Sequence, residues 1–257
     1  MVLYINYHLP HISYYPFMIF FYLMMFFSSV LVFLKNMIYI NFLLSFLMIF
    51  FLMIIWIKDI IVEGISGFHN FYVMEGFKMG LLLFLFSEFM FFFSIFWFFF
   101  DSSLVPLGDF GDNWVPLGML LVNPFGMPFL NSLILLSSAV TLTWSHYSLI
   151  MNNSSLMSLF YTLLLGFYFL LIQMMEYKEC FFTLSDSVFG TIFFFGTGFH
   201  GLHVFLGLLF LLFNYIRMSL FEFSSIHHLS YEFSILYWHF VDVVWLFLYV
   251  FFYYWYY

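Results

Sequence analysis

Seven long apolar runs, broken by short polar or Pro/Gly-bearing punctuation, account for most of the chain. Their approximate limits are 17–34, 38–57, 71–100, 128–149, 156–177, 190–213 and 233–256. A hydrocarbon core of about 30 Å needs roughly 20 apolar residues of α-helix, which is about what each run supplies. Runs such as "FMFFFSIFWFFF" do not alternate apolar with polar, as the roughly ten-residue strands of a membrane barrel must. The pattern therefore predicts an all-α transmembrane protein, a polytopic bundle of seven helices forming one membrane domain over 1–257. The third run exceeds a perpendicular crossing, which predicts tilt or extension past the interface. The long connection is "PLGDFGDNWVPLGMLLVNPFGMP", Pro106 to Pro128, whose four prolines mark an ordered or meandering loop.

Composition agrees with the pattern. With 66% apolar, 28% aromatic and 7% charged residues, the chain lacks the polar surface of a soluble globule. Lys58, Lys78 and Arg217 fall near connections 2–3 and 6–7, against Lys35 and Lys178 near connections 1–2 and 5–6. The excess places the first group on the cytoplasmic or matrix side, and the acidic loop with Asp101, Asp109 and Asp112 opposite. The single Cys180 excludes an intrachain disulfide and any centre needing paired thiolates from this chain. No basic n-region or Arg-rich transit segment is evident, so an organellar location predicts synthesis inside the organelle. The 46 Phe and 19 Tyr fit an AT-rich coding genome.

Polar residues inside the spans are the candidate chemistry, because ionisable groups in lipid are costly. In the seventh run His228, Glu232, Ile235, His239 and Asp242 follow at steps of four, three, four and three, along one helical stripe. Two readings stand: His239 and Asp242 satisfy each other and neighbouring helices as interhelical glue, or the stripe relays protons or holds metal. Glu88, deep in the third run with no cation near it in sequence, is either a structural acid bonded to another helix or a carboxyl that exchanges protons or contacts lipid. The sixth run, "GTIFFFGTGFHGLHVFLG", offers small residues Thr197, Gly198, Gly201 and Gly207 for close helix approach, and His200 with His203 on one face. Haem ligation by that pair is not expected, because bis-His ligands approach the ring from opposite sides. At the end of the second run, "WIKDIIVEGISGFH" gathers Trp56, Lys58, Glu63 and His69, either as an interfacial belt or, with Arg217, as a headgroup pocket.

The segments "SEFMFFFSIFWFFFDSSLVP", "NPFGMPFLNSLILLSSAVTLTWSHYSL", "EYKECFFTLSDSVFGTIFFFGTGFHGLHV" and "HHLSYEFSILYWHFVDVVWLFLYV" resemble, in order, subunit III of the haem–copper oxidases, cytochrome c oxidase in particular. The first two spans resemble that family only in hydrophobicity and "WIKD…E…GFH". The resemblance implies helices one and two splayed from helices three to seven by a lipid-holding cleft. It implies phospholipid contacts at Trp56, Glu63, His69 and Arg217, although the Glu63–His69 spacing is one residue shorter than in the family. Glu88 matches the family's carbodiimide-reactive membrane carboxyl. The chain is expected to carry no catalytic residue, no metal and no cofactor beyond bound phospholipid, with haem and copper only in partner subunits. Its expected role is to stabilise oxidase subunit I, hold lipid and support proton uptake in the inner mitochondrial membrane, with cytochrome c as donor to the complex and no nucleic-acid partner. His200, His203, His228, Glu232, His239 and Asp242 are expected to form a structural polar network. The corresponding subunit of a quinol oxidase shares these features. An independent ion transporter using Glu88, Glu232, His239 and Asp242 is the alternative from another class.

Overall fold

The computed structural model describes residues 12–106, 114–115, 118–255 and 257, and within them every long element is helical. The helices are α1 (Tyr15–Asn36), α2 (Ile40–Ile65), α3 (Phe71–Leu104), α4 (Met127–Ile150), α5 (Leu156–Glu179), α6 (Val188–Ser219) and α7 (Leu229–Leu248), the last continued by a π-helical turn over Tyr249–Tyr254. All seven are long and apolar enough to cross a membrane. Several outrun their apolar cores: α2 continues past position 57 to Ile65 and α6 past position 213 to Ser219. The hydrophobic pattern ends at the interface, whereas backbone hydrogen bonding continues until a stop signal intervenes.

That stop is explicit at α2. Gly67 adopts φ +83°, its N–H donates to the Gly64 carbonyl (3.1 Å), and the Phe68 N–H donates to the Glu63 carbonyl (3.2 Å). This is a Schellman closure, which satisfies two terminal carbonyls and requires the left-handed conformation that glycine adopts without strain. At the other connection, Met37 takes φ 56° and closes α1 by donating to Phe33 (2.8 Å).

The chain divides into two compact units, Met1–Met79 and Gly80–Tyr257. In the first, α1 and α2 pack as a helical hairpin. The Ser29 and Ser45 hydroxyls are buried and 2.9 Å apart, and each also lies near a carbonyl in its own helix, Phe26 and Phe42 respectively. One serine donates across the interface and the other donates to its own backbone, so neither hydroxyl proton is left bare in an apolar setting.

In the second unit α4 packs on α5, α5 on α6, α6 on α7, and α7 back on α4. The centre of this arrangement is Trp238, fully buried on α7. Its Nε1–H donates to Ser138 Oγ on α4 (3.0 Å). A Cβ at Gly166 on α5 would lie 2.6 Å from the indole, and one at Gly207 on α6 would lie 3.0 Å from it. Two glycines thus form a slot for the largest side chain, and four helices meet at one ring. Of the small residues singled out in α6, Gly207 serves close packing, whereas a methyl added at Gly198 or Gly201 would meet nothing within 4 Å. The α3 segment of this unit joins through aromatic contacts, Phe91 against Phe199 and Phe96 against Phe252 among them.

Candidate functional site

Glu88 on α3 finds its partner on α6. His203 Nε2 lies 2.6 Å from Glu88 Oε2, and His203 Nδ1–H donates to the Phe199 carbonyl at 2.7 Å. The carbonyl bond fixes the ring so that Nε2 faces the carboxyl, and one proton lies between nitrogen and oxygen. Phe91 stacks beside the imidazole and Phe92 meets it edge-on (5.0 Å), which keeps the pair among aromatic faces. The Glu88–His203 contact joins residues 115 apart, and nothing local in the sequence points to it. It bonds the Glu88 carboxyl to another helix, as the first sequence reading of Glu88 expected.

His200 and His203 do not act as a pair. His200 is buried between Trp245 (ring centroids 5.1 Å) and Phe169 (5.7 Å), and neither ring nitrogen makes a hydrogen bond among the described residues. Aromatic packing, not a polar network, holds it. The stripe on α7 is also uneven. His239 Nδ1 and Asp242 Oδ2 are 3.7 Å apart, within ion-pair range but too long for a hydrogen bond, and Asp242 is buried with no hydrogen bond to either oxygen among the described residues. The expected bonding of Asp242 to a neighbouring helix is therefore not seen. At the other end of the stripe, His228 Nε2 lies 3.5 Å from Glu232 Oε1 and 3.3 Å from His146 Nε2 of α4. His146, in "WSHYSL", is not singled out by sequence because one histidine at a span end carries no spacing signal. His146, His228 and Glu232 each offer a ligand atom, all within 4.8 Å of one another, a spacing that could hold a metal ion among the described residues.

Arg217, in the last turn of α6, organises the α6–α7 connection. Its Nε–H donates to Glu222 (2.6 Å) and an Nη1–H to Ser230 Oγ (2.7 Å), with Phe223 beneath the guanidinium at 4.6 Å. Ser230 in turn donates to Asn214 Oδ1 (2.9 Å). Of its five N–H donors two are committed in these bonds among the described residues.

In the first unit Trp56 stacks on Tyr15 (5.7 Å, 6° between planes), and the Tyr15 hydroxyl bonds Asp59. Glu63 lies two residues before the end of α2. His69 packs on Gly64, where a Cβ would come within 3.1 Å of its Nδ1, and edge-on against Phe77. Trp56, Glu63 and His69 belong to the first unit and Arg217 to the second.

Sequence reasoning also missed a buried set near the opposite end of α5. Tyr253 donates to Glu176 (2.6 Å), and Asn131 donates to Gln173 (3.2 Å). Beside them Cys180 caps α5, and burial, with the nearby Glu176 and Glu179 carboxylates, pushes its thiol up to about 12. A thiol so protonated is a poor nucleophile and ligand. Asp101 is exposed on the last turn of α3, while Asp109 and Asp112 lie outside the described residues.

The family model described as cytochrome c oxidase subunit III matches residues 5–257. Curated relatives include "Cytochrome c oxidase subunit 3" of Locusta migratoria, 47% identical over 206 residues, covering 79% of this chain and 78% of that protein. The proteins of the same name from Mammuthus primigenius (46% over 203 residues) and Drosophila melanogaster (45% over 203 residues) each match over 78% of both chains.

Proposed function

The chain belongs to the cytochrome c oxidase subunit III family, and from that premise we propose that it works as a non-catalytic core subunit of the terminal respiratory oxidase, complex IV. It is a multi-pass membrane protein that associates with other oxidase subunits. In this reading the seven spans form one membrane domain in the inner mitochondrial membrane, encoded in the organelle. Subunit I is its main contact. Haem and copper stay in the partner subunits, and cytochrome c delivers electrons to the assembly.

Two tasks belong to this chain's own residues. Glu88 and His203 are hydrogen-bonded at 2.6 Å between α3 and α6, and this pair is the observation that supports a role in proton uptake. Arg217, with donors in reserve beside Phe223, supports phospholipid holding, and Trp56, Glu63 and His69 are lipid contacts of the first unit in the same reading. The remaining polar residues, His228, Glu232, His239 and Asp242, take neither the proton nor the lipid role in this assignment.

The test is Glu88→Gln and His203→Gln in the assembled oxidase. Both variants keep a side chain able to hydrogen-bond its partner, so assembly and haem content are expected to match the parent. Proton uptake per turnover and sustained oxygen consumption are expected to fall. Undiminished proton uptake in fully assembled variants removes the proton role. For lipid, native mass spectrometry of the Arg217→Ala complex is expected to show fewer retained phospholipids, and an unchanged number counts against a lipid role for Arg217.

A further inference from the structure

We propose that His146, His228 and Glu232 form a binding site for a zinc-class divalent cation between the C-terminal end of α4 and the N-terminus of α7, a site the expectation of a metal-free chain did not include. The distance between the two Nε2 atoms is the first support. Tetrahedral zinc with bonds of 2.0–2.1 Å sets its nitrogen ligands about 3.3–3.4 Å apart. The observed separation is 3.3 Å, longer than a good hydrogen bond between ring nitrogens.

Orientation is the second support. His228 Nδ1–H donates to the Ser224 carbonyl at 3.0 Å, which assigns the proton to Nδ1 and leaves the Nε2 lone pair facing His146. Such an outer hydrogen bond to a backbone carbonyl is how metal-ligating histidines are held in tautomer and rotation. The His146 ring meets His228 at 68° with centroids 5.3 Å apart, an edge-on contact that brings the two Nε2 atoms together instead of stacking the rings side by side.

The third ligand comes from helix geometry. Glu232 is four residues after His228 and its Oε1 already lies 3.5 Å from Nε2. Its side chain is two-fifths exposed, free to rotate the small distance that brings the oxygen onto a shared centre. His228 is buried and fixed, while His146 and Glu232 are partly open, which provides an entry path from the interface. Two imidazoles and a carboxylate with one open position suit Zn²⁺, and Co²⁺ substitutes as a spectroscopic probe. A bound cation ties α4 to α7 at the end where the α6–α7 connection is anchored by Arg217.

The cation site is independent of the proton and lipid roles proposed above. The oxidase complex carrying this chain is stripped with chelator, dialysed against buffered Zn²⁺, and its zinc counted by mass spectrometry beside Glu232→Gln and His146→Gln complexes. Zinc sites elsewhere in the assembly cancel in the difference. The parent is expected to hold one more zinc per complex than either variant, with affinity reduced at least about tenfold in each. Co²⁺ is expected to give strong tetrahedral visible bands in the parent and weak ones in the variants. Glu232→His keeps a ligand at the third position and is expected to retain the metal, which separates ligation from general damage. Equal zinc content in the parent, Glu232→Gln and His146→Gln complexes, with identical Co²⁺ spectra, overturns the assignment and leaves a hydrogen-bonded His–His–Glu cluster.

Discussion

Replacing Gly166 by alanine tests whether the Trp238 slot organises the second unit. The added methyl would sit 2.6 Å from both Trp238 Cη2 and Leu208 Cδ2, and 3.1 Å from Trp238 Cζ2. Ordinary contact begins near about 3.5 Å, so the indole must retreat by most of an ångström. It cannot do so freely, because Gly207 closes the opposite side of the ring and Ser138 holds Nε1 at 3.0 Å. Overpacking costs about 1–3 kcal/mol, and stretching or losing the Ser138 bond adds about 0.5–1.5 kcal/mol. The better helix propensity of alanine returns up to about 1 kcal/mol. The net loss is about 1–3 kcal/mol, roughly 5- to 150-fold in the folded-to-unfolded ratio. Denaturant titration of the detergent-solubilised chain, followed by tryptophan fluorescence, measures it. Gly201→Ala is the control, since nothing lies within 4 Å of its Cβ position, and its stability is expected within about 0.5 kcal/mol of the parent. Equal stability of Gly166→Ala and the parent, or an equal loss in Gly201→Ala, refutes the reasoning.

Other outcomes follow from the same geometry. Ser29→Ala and Ser45→Ala are each expected to cost little, because the surviving hydroxyl keeps its own carbonyl at 2.7 or 2.9 Å, and the double variant should be no worse than either single one. A double-mutant cycle should give a coupling of about 0.6 kcal/mol, and strict additivity would discard the cross-helix bond. Cys180 alkylation is expected to rise about tenfold per pH unit from about pH 8 to pH 10 without levelling, since its thiolate forms only near pH 12 and not near 9.0. A plateau near pH 9.0 contradicts the burial argument. Asp242→Leu is expected to assemble and resist denaturant at least as well as the parent, because it removes a buried acid that makes no hydrogen bond among the described residues. Failure of the Leu variant to assemble, with Asp242→Asn tolerated, would restore the pair as interhelical glue.

The seven spans are legible because lipid imposes a length and a polarity on each helix, and both are written locally. Helix ends are less so: Glu63 and Arg217 sit on helical turns beyond the apolar pattern, where hydrogen bonding and a glycine stop decide the boundary. Glu88 announces itself as an ionisable group in an apolar run, yet its partner His203 does not, because a contact between helices leaves no mark in local spacing. The period of α7 correctly puts His228 and Glu232 on one face, but periodicity cannot say that His146 meets them from α4. For His200 the same logic misleads. Its i,i+3 relation to His203 suggests shared work, whereas the helix turns enough between them to give one to Trp245 and the other to Glu88.

Helix α6 runs unbroken from Val188 to Ser219, and His203 and Arg217 lie on it, separated by about 21 Å at 1.5 Å per residue. A continuous α-helix is stiff along its axis, so these two side chains belong to one rod. Sliding that rod lengthwise alters the Arg217 grip on Ser230 and the His203 bond to Glu88 in a single movement. The Arg217 cluster at the end of the helix and the Glu88–His203 bond are therefore mechanically in series, joined by one continuous backbone.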